Sequence, residues 1–190
     1  DIQYILSGGA QHESSPKEYS KAFHVREDIF SKYVRTSIGK DSFFIIVSLG
    51  RPVARGEITL SSNDPYKEPI IDPNYLTNNE DIIRMIEAVK KAVNLAENTT
   101  PFRKIGSRLT DTPFPGCEHV PHRSDAYFEC YIRSLSLTLH HIVGTASMGR
   151  PDSPHAVVDT ELRVIGTKGL RVMDASIMPI VPVTNTQAPC

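Results

Sequence analysis

A mixed fold of antiparallel strands and helices, α+β in class, is what the pattern of residues predicts. Two observations carry that expectation for the first half of the chain. A continuous β-branched and aromatic run at residues 42–49 is followed, after Gly50-Arg51-Pro52, by an alternating run at residues 55–60. Between turn-rich stretches further on lie two amphipathic patterns of helical period, at residues 77–98 and 124–135. A third observation bears on the end of the chain, where short extended pieces alternate with Asp-Thr and Gly-Thr-Lys-Gly turns.

Each element has its own justification. Residues 1–9 read as a short strand, an apolar run closing on Ser7-Gly8-Gly9. Residues 10–40 are polar and irregular, with one helix expected over 18–34. There Tyr19, Phe23, Ile29, Phe30, Tyr33 and Val34 recur at loosely helical spacing. The run at 42–49 lacks alternation, so both faces are expected to be buried. Residues 55–60 place Ile58 and Leu60 on one face and Glu57 and Thr59 on the other. That is a half-solvated strand, and the two runs are expected to pair as antiparallel neighbours.

Asn63-Asp64-Pro65 and Asp72-Pro73-Asn74 are turn sequences. Thr77 and Glu80 stand at capping-box spacing, and Ile82, Ile86, Val89, Val93 and Ala96 then share one helical face. Pro101 stops that helix, and residues 113–121 form a proline-punctuated loop. The second helix, 124–135, buries Phe128, Tyr131, Ile132 and Leu135. It delivers the chain to residues 137–149, Leu-Thr-Leu-His-His-Ile-Val-Gly-Thr-Ala-Ser-Met-Gly, where two imidazoles end an apolar run and small residues follow. Extended pieces at 157–158, 162–164 and 170–172 lead to Met173-Asp174-Ala175-Ser176. An acidic residue at the end of an apolar strand, followed by small residues, is where dinucleotide-binding sheets meet their cofactor.

The chain has 190 residues, starts at Asp1 in an apolar run and stops one residue after a proline. We expect a fragment truncated at both ends. A net charge of −1 gives no footprint for nucleic acid or a membrane surface, and no apolar run reaches membrane-spanning length. Neither is expected as a partner. Cys117, Cys130 and Cys190 make an odd count whose spacing fits no disulfide framework or zinc ribbon, which leaves the redox compartment open.

Cys117, His119, His122 and Cys130 have zinc-ligand side chains, but Pro121 separates the histidines, and an ordinary surface loop is the simpler reading. A hydrolase elbow around Ser147 needs glycine two residues earlier, where Thr145 stands. Neither Gly-x-Gly-x-x-Gly nor a P-loop occurs. What remains is His140-His141, which taken alone reads as a pair of structural histidines.

Its context supplies more. His140-His141-Ile142-Val143-Gly144-Thr145 with Met148-Gly149 resembles a signature block of the glucose-methanol-choline (GMC) oxidoreductases. Ala156-Val157-Val158-Asp159, Leu162-Arg163-Val164, the run from Gly169 to Pro179, and Asn185-Thr186-Gln187-Ala188-Pro189 are similar to the blocks that follow it, in the same order. Upstream, Arg55-Gly56-Glu57-Ile58, Pro69-Ile70-Ile71-Asp72-Pro73-Asn74-Tyr75-Leu76 and Pro115-Gly116-Cys117-Glu118 resemble the insect glucose dehydrogenase-like branch.

The resemblance implies the C-terminal, substrate-binding part of an FAD-dependent oxidoreductase acting on alcohol or sugar CH–OH donors. Quinone or oxygen would be the electron acceptor. It implies a substrate-binding domain over 1–150 and a return segment over 151–190, whose final strand belongs to an FAD-binding domain. Without a phosphate-binding loop, these residues alone are expected to be inactive. Carried over by motif, His141 is the catalytic base and Asn185 the second catalytic residue. Asp174, Ala175, Asn185 and Thr186 approach the cofactor, and His140 is structural. Secretion is what the insect branch would imply. The chain departs from the pattern at Ile142, Ala146-Ser147 and Gln187, and above all at Pro182 and Thr184 before Asn185. That altered turn keeps a second reading in view, a catalytically silent binding or structural protein.

Overall fold

A computed structural model of the chain describes residues 1–187. The Ala188-Pro189 end of the last signature block, and Cys190, lie outside the described residues. The described chain divides into two units. Residues Ile2–Leu49 and Asn79–Leu137 form a helical unit, and Gly50–Asn78 with Thr138 onward, joined by Asp1, form the other.

In the helical unit, β1 (Ile2–Gly8) pairs antiparallel with β2 (Phe43–Leu49), Ile2 opposite Leu49 and Gly8 opposite Phe43. The expectation that residues 42–49 pair with 55–60 is therefore wrong. Gly50, Pro52 and Gly56 break the chain over too long a stretch for a tight hairpin, whereas β1 matches β2 residue for residue. Nor is β2 fully buried, for all seven of its residues are half-buried. A two-stranded ribbon gives each strand one neighbour, and α3 (Asn79–Asn98) is the helix that packs on β2. The Tyr4 hydroxyl donates to the Ala88 carbonyl of α3 at 3.2 Å.

The helix expected over 18–34 is two helices, α1 (Ser15–Phe23) and α2 (Glu27–Val34). His24 ends α1 with a left-handed φ of 55°, its amide donating to the Ser20 carbonyl at 3.0 Å. The break folds α2 back, so that Tyr19 meets Phe30 with ring centroids 4.9 Å apart. In α3 the buried stripe is Ile82, Met85, Ala88, Ala92 and Ala96, while Ile86, Val89 and Val93 are half-buried beside it. The Thr77 hydroxyl donates to the Asn74 carbonyl at 2.9 Å, tying it to the preceding turn. Pro101 starts a short α4 (Thr100–Lys104) rather than only ending α3, because a first-turn proline costs no hydrogen bond. Helix α5 (Asp125–Leu135) begins where expected, with the Ser124 hydroxyl accepting from the Tyr127 amide. Phe30, Tyr33, Val34, Ile82, Phe114, Tyr127, Phe128 and Ile132 are its buried core.

Cys117 and Cys130 form a disulfide, Cα atoms 5.8 Å apart, fastening the proline-rich loop to α5. This corrects the sequence reading and takes both sulfurs from the zinc-ligand set weighed above. The spacing had no framework to match because it follows from how a loop folds over one turn of a helix.

In the other unit, β3 (Glu57–Thr59) pairs antiparallel with β4 (Ile70–Asp72). Among the described residues the antiparallel strands expected form two separate two-stranded ribbons, β1 with β2 and β3 with β4. Among the described residues, the extended pieces after residue 147 pair at single-residue bridges, Met148 with Val158, Val158 with Val164 and Arg163 with Arg171. Val158, which takes part in two of them, is fully buried. No helix among the described residues is long and apolar enough to cross a membrane.

Candidate active site

The catalytic and cofactor-binding residues read from the sequence all fall in this second unit, on segments without regular strands. The apolar run into the histidines is no strand, since residues 136–144 carry no strand pairing and His140 has a left-handed φ of 62°. His140 is exposed, and its amide donates to the Thr138 hydroxyl at 3.0 Å. Its place is therefore a backbone turn, not the packed position expected for a structural histidine.

That turn directs His141 elsewhere. His141 is half-buried, and its Nδ1 lies 3.2 Å from the Thr186 hydroxyl and 3.4 Å from the Thr186 amide nitrogen, which donates towards it. Thr186 is only 7% exposed. Residues 45 positions apart in the chain thereby share one contact. Asn185, next to Thr186, is exposed and makes no hydrogen bond to another described residue.

Asp174 and Ala175 are reached from the histidine side through the backbone. The Gly144 amide donates to the Ala175 carbonyl at 3.3 Å, and the Met148 amide to the Ile177 carbonyl at 2.8 Å. Gly144 sits at φ +85°, a conformation that favours glycine, with open space where a Cβ would stand. Asp174 caps a single 3₁₀ turn, Ala175–Ile177, and accepts from the Ser176 amide at 2.7 Å. The hydrogen bonds from Ser176 hold its exposed carboxyl below the usual aspartate range. Residues 141–149, 174–177 and 186 are thus joined in one network, and Asn185 borders it. The partnership of His141 with Thr186 went unseen in the sequence, where only a hydroxyl in the last block hinted at it.

Residues 52–190 match the family model described as GMC oxidoreductase. The chain belongs to the GMC oxidoreductase family. It is 46% identical over 138 residues to glucose dehydrogenase [FAD, quinone] of Drosophila pseudoobscura pseudoobscura, covering 73% of this chain and 22% of that protein. Ecdysone oxidase of Spodoptera littoralis is 41% identical over 145 residues, covering 75% and 22% respectively. Among solved structures, pyridoxine 4-oxidase from Mesorbium loti superposes with a TM-score of 0.65 at 29% identity, over 80% of this chain and 28% of that one. The chain spans about a quarter of the length of the curated relatives it matches.

Proposed function

We propose that this chain forms the substrate-facing part of an FAD-dependent oxidoreductase acting on alcohol or sugar CH–OH donors, with His141 as its general base. In this reading residues 1–150 are the substrate-binding domain and 151–190 return towards an FAD-binding domain. The observation that carries it is the contact of His141 with Thr186 beside Asn185, across 45 positions, in a family of oxidoreductases.

The site residues suit FAD in chemistry. Gly144 and Ala175 are small and joined main chain to main chain, leaving room for the edge of a flat ring. Asp174 is committed to Ser176 and puts no further side chain there. With no glycine-rich phosphate loop in the sequence, nothing here suits a pyrophosphate, and the 190 residues alone are not expected to hold the cofactor. When bound, FAD would supply the hydride acceptor, with quinone or oxygen as the electron acceptor beyond it.

The chain's own residues handle the proton and the oxygen. The His141 imidazole takes the hydroxyl proton at Nε2, the nitrogen turned away from Thr186. The Asn185 side-chain amide, free of other described partners, donates to the substrate oxygen as negative charge grows on it. The carbon then gives up its hydride and the product is the carbonyl compound.

In the intact flavoprotein, His141→Ala should slow anaerobic flavin reduction by about 10²- to 10⁴-fold, the usual worth of a positioned base. His140→Ala should leave it little changed. Fast reduction in the His141 variant refutes the assignment. Asn185→Ala should lower kcat more than it raises KM. The second reading, a catalytically silent binding or structural protein, draws support from the altered Pro182–Thr184 turn and the exposure of Asn185. It predicts bound flavin that no alcohol or sugar reduces.

A further inference from the structure

An imidazole can serve as a base at Nε2 only while Nδ1 carries the ring proton. Two groups of Thr186 face Nδ1 of His141. The amide nitrogen, at 3.4 Å, is a donor only. Acting alone it would hold Nδ1 as an acceptor and force the neutral ring to carry its proton on Nε2, the tautomer that cannot take a proton there. The hydroxyl, at 3.2 Å, both donates and accepts. Among the described residues it is the group at Nδ1 able to receive the proton, and at 7% exposure Thr186 leaves water little access to replace it.

We propose that the Thr186 hydroxyl is a positioning group that accepts the Nδ1–H of His141 and so keeps the Nε2 lone pair available to the substrate. The proposal rests on the reading of His141 as base. Thr186→Val keeps the shape and the amide but removes the acceptor, whereas Thr186→Ser keeps the acceptor.

The test has two readouts on the intact flavoprotein. The first is ¹⁵N NMR of histidine-labelled protein at a pH where the ring is neutral, with His141 assigned by its loss in His141→Gln. The Nδ1–H tautomer is expected in wild type and Thr186→Ser, and the Nε2–H tautomer in Thr186→Val. A wild-type ring already in the Nε2–H form, or a tautomer unchanged in Thr186→Val, overturns the proposal. The second readout is the rate of anaerobic flavin reduction. Thr186→Val should lower it by roughly 10- to 100-fold with KM little changed, and Thr186→Ser should restore it, as for other residues that orient a working imidazole. If the tautomer switches while the rate does not, the positioning role stands and the assignment of His141 as base falls.

Discussion

Reducing the Cys117–Cys130 bridge should destabilise the helical unit by about 3 kcal/mol. The bridged residues are 13 positions apart. In the chain-entropy treatment, closing a loop of that length restricts the unfolded state by an amount worth about 3 kcal/mol at 25 °C. Replacing both cysteines by alanine adds a second cost. Cys117 is fully buried and its amide donates to the Phe114 carbonyl at 2.9 Å, so losing its sulfur leaves a gap worth roughly 1 kcal/mol. Reduction leaves both sulfurs in place and carries the first cost alone. The bridged loop also seats Phe114, 2% exposed, against Tyr33 and Tyr131 at centroid distances of 5.1 and 5.5 Å.

The measurement is a thermal melt followed by near-ultraviolet circular dichroism. With no tryptophan in the chain, the tyrosines dominate that signal. A kcal/mol moves the midpoint of a domain this size by roughly 2–4 °C, so reductant should lower Tm by about 6–12 °C, and the double alanine variant by somewhat more. Mapping after alkylation should find Cys117 and Cys130 modified only once the protein is reduced. A reduced protein melting within about 2 °C of the oxidised one, or both cysteines alkylated in the native state, would refute the reasoning.

Gly56→Ala should open the β3–β4 ribbon at a cost of about 1–3 kcal/mol. A Cβ there would overlap the Asp72 carbonyl oxygen and lie 2.6 and 2.8 Å from the Pro73 Cα and C, backbone atoms that no rotamer change can move aside. Amide exchange across Glu57–Thr59 and Ile70–Asp72 reads the outcome, and wild-type protection of the ladder amides would contradict it. Glu97 carries an acid-sensitive contribution. Burial pushes its carboxyl up, but the bonds from Arg123, at 2.6 and 3.2 Å, and from the Leu109 amide outweigh burial and leave it below the usual glutamate range. A carboxyl lowered by folding stabilises the native state above its unfolded value and loses that contribution as pH falls through the folded one. Because Arg123 is 40% exposed, we expect only about 1 kcal/mol. Urea midpoints at about pH 6 and pH 3 should therefore differ less in Glu97→Gln than in wild type, and an unchanged difference would remove Glu97 from the account.

What could be read from sequence was what repeats within a short window. The β-branched run gave β2, and α3 and α5 followed from apolar spacing and turn residues, whereas the cap that Ser124 supplies to α5 was not read from sequence. Pairings were not legible in the same way. Whether β2 joins β1 or β3 depends on the cost of closing each loop and on which face α3 covers, and neither shows in the run itself. The break at His24 left little trace, because a left-handed cap is usually announced by glycine or asparagine, not histidine. At the site, residue types and block order singled out His141, Asp174, Ala175, Asn185 and Thr186. What brings them together, the Nδ1 contact of His141 with Thr186 and the main-chain bonds Gly144 to Ala175 and Met148 to Ile177, joins segments distant in the chain, and no local pattern encodes that.

The two units differ in what holds them. With the exception of Val158, every buried apolar residue among the described ones belongs to the helical unit. The unit carrying the site is held instead by main-chain bonds between irregular segments, such as Met148 to Ile177, Gly149 to Val158 and Val172 to Leu162. Apolar burial is non-directional and tolerates many side-chain arrangements, whereas each such bond fixes one register of one segment against another. A proton-transfer site needs its groups held to a fraction of an ångström. The glycines in 141–177 serve this in two ways, Gly144, Gly166 and Gly169 by taking positive φ and Gly149 by leaving room for a neighbour. At Gly149, for example, an added Cβ would stand 3.0 Å from that of Ala156. Of the blocks that mark the family, those at 140–149 and 169–179 are joined in this way, Gly144 to Ala175 and Met148 to Ile177, on the side of the chain where His141 meets Thr186.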